Sequence, residues 1–363
     1  MDSSIESQGL GVESLGLPSS AQQARHRSRP SFRSLGKVVS PRNLVLIGLI
    51  VVVFGYVSAR EPRFASSANL RVLAIQIAVL GIPALGMTLL MIAGYVDLSI
   101  GSMFSLIAVF ATRFSGTVGL TGAVALGLLI GLGLGALNGA LVLRLTMSPI
   151  VVTLAGLALY QGIVNVATKG QGVTNFDPSF GSLGQGAAVF GVPNGVSLFV
   201  VLALICAFVV TRTTWGLNIF AIGGNPEATR LVGLPIKRIT LALFAVNGVI
   251  VALAALLTAS RFGGATPIIG VGMELNVITA VILGGVSFAG GEGSVFGTAL
   301  AVGLITVVTS GIVALNIDSY YSNVVNGALL LGAVTVDQLT REQRDRFRRL
   351  AAIRAALAED HDT

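Results

Sequence analysis

The sequence predicts an all-α, polytopic helical membrane protein of about ten transmembrane helices, and composition, glycine content and run length each point that way. Only 11% of the 363 residues are charged, 53% are hydrophobic, and the mean hydropathy is +0.86. Soluble domains carry about 25% charged residues to cover themselves with a wetted shell, so most of this surface must meet lipid. The 46 glycines suit helices that approach one another closely inside a bilayer.

A helix needs about 20 apolar residues to cross the hydrocarbon core. Candidate runs lie at 43–59, 70–93, 98–115, 121–143, 149–167, 196–211, 240–258, 273–290, 294–314 and 321–338. Eight spans result instead if one short pair re-enters without crossing. Residues 1–42 are rich in Ser, Gly, Gln and Arg without periodicity, and read as a disordered cytoplasmic tail. Val57-Ser58-Ala59 resembles a cleavage site, but the charged stretch before it is too long for a signal peptide and further spans follow. A polar loop occupies 212–239, and a basic cytoplasmic tail occupies 339–363.

The net charge of +7 raises nucleic acid as a partner, yet the basic residues gather in the two tails, which argues for membrane orientation instead. With both termini cytoplasmic, seventeen Lys and Arg lie inside and six outside, the outer set being Arg60, Arg63, Arg71, Arg113, Lys169 and Arg261. The cluster at Arg60, Arg63 and Arg71 runs against the rule. One cysteine, Cys206, sits in an apolar run and reads as a small core hydrophobe. The two histidines, His26 and His361, lie in the tails, so no metal centre or buried proton relay is expected. The chain also echoes itself: residues 94–104 resemble 285–296, and Asn138-Gly-Ala-Leu141 recurs as Asn326-Gly-Ala-Leu329. Transport folds are often built from repeats, although chance likeness among Gly/Ala/Leu-rich helices is the favoured reading.

Three motifs stand out. The first, Gly94-Tyr95-Val96-Asp97-Leu98-Ser99-Ile100-Gly101-Ser102, joins two apolar runs without a polar loop. Its glycines allow a break in the backbone, and an acid at that depth faces the bundle interior. Asp97 reads as a cap of the following helix, a role compatible with a place beside a pathway. The second motif, Asn225-Pro226-Glu227-Ala228-Thr229-Arg230-Leu231-Val232-Gly233, is a short helix with its own punctuation. Asn225 suits the N-cap, Pro226 the first turn, Glu227 the positive end of the dipole and Gly233 a left-handed stop. Ala228, Leu231 and Val232 share one apolar stripe; a surface helix lying on the membrane is the bland alternative. The third is Glu274-Leu275-Asn276, followed by the glycine-rich stretch 283–294, which lacks the lysine of a phosphate-binding loop. Glu274 is placed at the outer mouth and Glu292 in a tight cytoplasmic turn. No nucleotide site, catalytic group or cofactor is expected. Gln76, Asn138, Asn165, Asn247 and Asn326 interrupt apolar runs, and polar groups in lipid either bond across helices or line a wet cavity, the first being commoner.

These motifs, in order and in context, resemble the permease subunits of ribose/xylose/arabinose-type ATP-binding-cassette importers, from about residue 43 to 338. Tyr95 departs from the family's usual small or β-branched residue. The resemblance implies a permease pair, homo- or heterodimeric, in the inner membrane. It also implies a cytoplasmic ATPase, a periplasmic or extracellular sugar-binding protein, and a coupling role for 225–233. Candidate pathway residues are Asp97, Ser99, Asn138, Asn165, Asn247, Glu274 and Asn276. The alternative is a self-contained secondary transporter or channel, which wants buried acids but has no need of a docking helix. A receptor would call for a soluble domain.

Overall fold

The computed structural model describes residues 40–145, 147–175, 178–188 and 191–361, with side chains in the last helix as far as residue 343. The tail expected over 1–42 lies outside them except for Ser40–Arg42. Helix α1 (Pro41–Arg60) starts where the sequence punctuates it, because the Ser40 hydroxyl accepts from the Asn43 amide and Pro41 fills the first turn. A 3-10 turn, Pro62–Ala65, leads into α2 (Ser67–Ile92), which is buried on every side from Gly81 to Ile92. A helix apolar all round belongs in the interior, and α2 is the bundle's centre.

Helix α3 (Ile100–Leu145) contains two of the expected spans. They meet at Gly119, whose φ of 69° and ψ of 179° are accessible to glycine. Then follow α4 (Pro149–Thr168), a two-residue strand β1 (Val173–Thr174), α5 (Pro178–Gln185), α6 (Asn194–Arg212), α7 (Thr214–Gly224) and α8 (Pro226–Leu231). Helix α9 (Ile236–Phe262) leads to β2 (Gly264–Ala265), paired antiparallel with β1, and then come α10 (Met273–Leu283), α11 (Val295–Ala314) and α12 (Tyr321–His361).

Among the described residues, seven helices are long and apolar enough to cross a membrane: α1, α2, α3, α4, α6, α9 and α11. Because α3 holds two runs, they account for eight of the ten expected. The other two differ in form. The run 273–290 is an 11-residue helix, α10, that gives way to a glycine-rich turn. The run 321–338 opens a 41-residue helix that carries the basic C-terminal segment on to His361.

Lipid offers no hydrophobic drive between helices, so close van der Waals packing has to hold them. Gly127, Gly131, Gly135 and Gly139 recur every fourth residue on α3 and face α9. A Cβ on Gly131 would overlap the Gly248 carbonyl, and one on Gly135 the Phe244 carbonyl. The two backbones therefore touch.

Contacts sort the segments to two ends. At one end the Arg42 guanidinium donates to the Ile282 and Leu283 carbonyls (2.6 and 3.1 Å), a cation closing the negative end of α10. The Gly291 amide donates to Ile92 there (2.8 Å), and Asp337 of α12 accepts from Ser287 and Phe288. At the other end β1 meets β2, and Ser260 of α9 binds α5 through Gly184.

Candidate functional site

The chain between α2 and α3 is not helical from Gly94 to Leu98, and it enters the bundle with its polar side chains turned inward. Asp97 and Ser99 are wholly buried there. One Asp97 carboxylate oxygen accepts from the Ser99 amide (2.9 Å) and hydroxyl (2.6 Å); the other accepts from Asn247 of α9 (3.1 Å). Asn138 of α3 donates to the Ser99 hydroxyl (2.8 Å) and approaches Asp97 (3.5 Å). Tyr160 of α4 closes the circuit by donating to Asn138 (2.7 Å), and the Leu98 amide donates to Thr153, also on α4 (3.0 Å). Asn247 lies eleven residues into the 27-residue α9, or about 16 Å along its axis, so the network sits near the middle of a helix long and apolar enough to cross a membrane.

Broken backbone at that depth survives only where protein or a wet cavity satisfies it. Here protein does so, using the far half of α3, α4 and α9. The expected capping role of Asp97 takes a modified form. Its carboxylate holds the amide just before the helix, while Ser99 starts α3 by accepting from Met103 (2.8 Å). Tyr95 has local partners, accepting from Thr240 (3.0 Å) and packing edge-on against Phe244.

Four of the seven expected pathway residues, Asp97, Ser99, Asn138 and Asn247, thus form one cluster. Glu274 stands beside it, since a Cβ on Gly101 would overlap its carboxylate and the Gly270 carbonyl. Asn276 lies apart and accepts from Asn326 of α12 (2.9 Å). Asn165 is not in the cluster: it is exposed on α4 and accepts from Gln161 (3.3 Å). Sequence reasoning missed Thr153 and Tyr160. Their seven-residue spacing with Gly156 between marks one face of α4, and a tyrosine within an apolar run calls for a hydroxyl partner.

The second motif folds as its punctuation predicts. The Asn225 side chain accepts from Ala228 (2.9 Å), Pro226 and Glu227 fill the first turn, and Gly233 takes φ +78°. Thr229 is buried and tied to the Ala221 and Asn225 carbonyls (2.8 and 2.7 Å), which fixes α8 on the end of α7. Ala228 and Arg230 are exposed, and Leu231 and Val232 project into open space at 88% and 75% exposure.

Residues 69–334 match a family model described as the permease component of branched-chain amino acid transport systems. The ribose import permease protein RbsC of Escherichia coli K12 is 34% identical over 80% of this chain and 92% of its own length. An L-arabinose ABC transporter permease protein of Azospirillum brasilense is 32% identical over 82% and 88%. The D-allose transport system permease protein of E. coli K12 is 31% identical over 81% and 90%. No solved structure matches. With the family model covering most of the bundle, and relatives above 30% identity across four-fifths of the sequence, this chain belongs to that family of transport permease components.

Proposed function

We propose that the chain is the translocation subunit of an ATP-driven importer of a sugar or similar polyol, in the inner membrane with both termini cytoplasmic. It works as one of two permease copies beside a soluble sugar-binding protein, and ATP is hydrolysed on a separate subunit. The observation that carries this reading is α8. Its caps and the Thr229 anchor hold Leu231 and Val232 out where none of the described residues covers them. A self-powered transporter has no use for such a mount, whereas an ATPase groove does.

Relatives named for ribose, arabinose and allose favour a polyhydroxylated solute over an amino acid. The polar inventory agrees. Among the described residues the polar groups of the core are mostly amides and hydroxyls, with the Asp97 carboxylate held by its own donors. Glu274 lies beside it and the Asn276–Asn326 pair lies apart as further candidates for the path, and the Asn326 side-chain oxygen has no partner among the described residues. Residues 1–42 and the segment from 339 onward are cytoplasmic in this reading.

Ala228→Glu tests the coupling assignment by placing a bulky unpaired charge in the docking face. The variant should insert normally, lose uptake and shed the ATPase on purification, whereas Thr168→Glu at the opposite end should keep it. Retention of a bound ATPase together with full uptake would restore the self-powered alternative. Orientation is read by single cysteines at Leu231 and Gln185 in a Cys206→Ala background. An impermeant thiol reagent applied to cells with a permeabilised outer envelope should label the second and spare the first.

A further inference from the structure

We propose that Gly223 is the positioning residue through which α8 moves the broken segment at 94–98, an inference that rests on the docking reading of α8. Thr229 makes α7 and α8 one rigid piece, since its hydroxyl reaches carbonyls of both the last turn of α7 and the start of α8. Gly223 lies inside that piece, in the last turn of α7, where it meets two other backbones. A Cβ on it would overlap the Ile92 carbonyl oxygen and come within 2.5 Å of the Gly291 nitrogen. Those two atoms are themselves hydrogen-bonded at 2.8 Å, joining the end of α2 to the turn between α10 and α11. The last turn of α7 therefore rests directly on that bond.

The turn continues the contact toward the interior. A Cβ on Gly290 would lie 2.8 Å from the Cα and nitrogen of Gly94 and 3.0 Å from the Cα of Gly223. Three segments thus meet backbone to backbone. A side chain between them could change rotamer and absorb a displacement, whereas close-packed backbone transmits it. Gly94 opens the break, and three residues on lies Asp97 with its bonds to α9 and to Ser99. The segments 94–104 and 285–296 touch here, at Gly94 and Gly290. Gly224 provides the contrast. It is exposed, and a Cβ there would come no nearer than 4.0 Å to anything outside its own turn.

The test uses the permease copurified with its ATPase and embedded in lipid nanodiscs. Deuterium exchange of the backbone amides at 94–99 is followed with and without ATP plus vanadate, which traps the closed ATPase. In the unaltered complex trapping should change exchange there by about fivefold or more. Gly223→Ala should keep the ATPase bound yet lose that change, and Gly224→Ala should retain it. The proposal is overturned if Gly223→Ala responds as the unaltered complex does, if Gly224→Ala loses the response equally, or if trapping never reaches 94–99. It is also overturned if Gly223→Ala sheds the ATPase, since the contact would then shape docking. Should Gly223→Ala not accumulate in the membrane, Gly290→Ala, which presses Gly94 from the far side, is read in the same way. Failure of both to accumulate would make the contact a requirement of folding, and the proposal falls. If Ala228→Glu keeps its ATPase, the docking reading has failed; if it sheds the ATPase while Gly223→Ala still responds, only the junction has.

Discussion

The Asp97 network and the α8 helix are opposite solutions to the same difficulty, a polar or apolar group in the wrong solvent. Around Asp97, broken backbone and a carboxylate sit in a nonpolar interior, and the chain meets their needs with Ser99, Asn138, Asn247, Thr153 and Tyr160. On α8, Leu231 and Val232 stand exposed, and no segment of the described chain covers them. A region that satisfies its carboxylate specifies the fold, even though the Asn247 side-chain oxygen is left without a partner among the described residues. On the proposed reading, a region left unsatisfied on a rigid mount awaits a partner. Substitutions in the first region should therefore show in stability, and those in the second in assembly.

The largest effect is expected of Asp97→Leu. It strands the Ser99 amide and hydroxyl and the Asn247 amide, each at about 1–3 kcal/mol for a buried group left without a partner. Thermal unfolding in detergent should fall steeply, or the protein should not accumulate. Asp97→Asn, which still accepts, should retain more stability and more uptake. Equal damage from both would mean that the charge itself matters, which would reopen the secondary-transporter reading. Next comes Gly86→Ala. The added methyl would overlap the Asn247 side-chain oxygen, and overpacking of this kind costs about 1–3 kcal/mol. Unaltered melting would show that Asn247 can move away freely. Tyr160→Phe removes one hydrogen bond from the rim of the network and should cost about 0.5–1 kcal/mol, the usual size of a polar contact between membrane helices. Leu231→Ser is expected to change melting by under about 0.5 kcal/mol, as exposed positions do, while weakening ATPase copurification. A marked loss of melting temperature there would erase the contrast between the two regions.

Much of this was legible in the sequence, for identifiable reasons. Lipid forbids unsatisfied backbone, so apolar runs become helices almost without tertiary help, and each of the ten expected runs is helical over much of its length. Local punctuation also reads through: Ser40 and Pro41 start α1, and Asn225 through Gly233 fold as their residue types dictate. Boundaries set by glycine were harder to read. Gly119 interrupts α3 without ending it, whereas Gly284 and Gly285 stop α10 after 11 residues. A glycine permits a break, but neighbours decide whether one forms, and at α10 Arg42 closes the helix from 240 residues away.

The site divides along the same line. Composition and spacing by themselves determined the lipid environment, the helical class and the self-capped α8, because each depends on solvent or on residues within a turn or two. Which amides reach Asp97 was decided by tertiary structure. Asn138 and Asn247 meet it through the glycine ridge that lets α3 and α9 touch, while Asn165, of the same residue type and also in an apolar run, lies on an exposed face. A side chain's partners across a bundle depend on how each helix is rotated and how closely it approaches its neighbours. Those quantities are set by packing against helices distant in sequence, so no local pattern carries them.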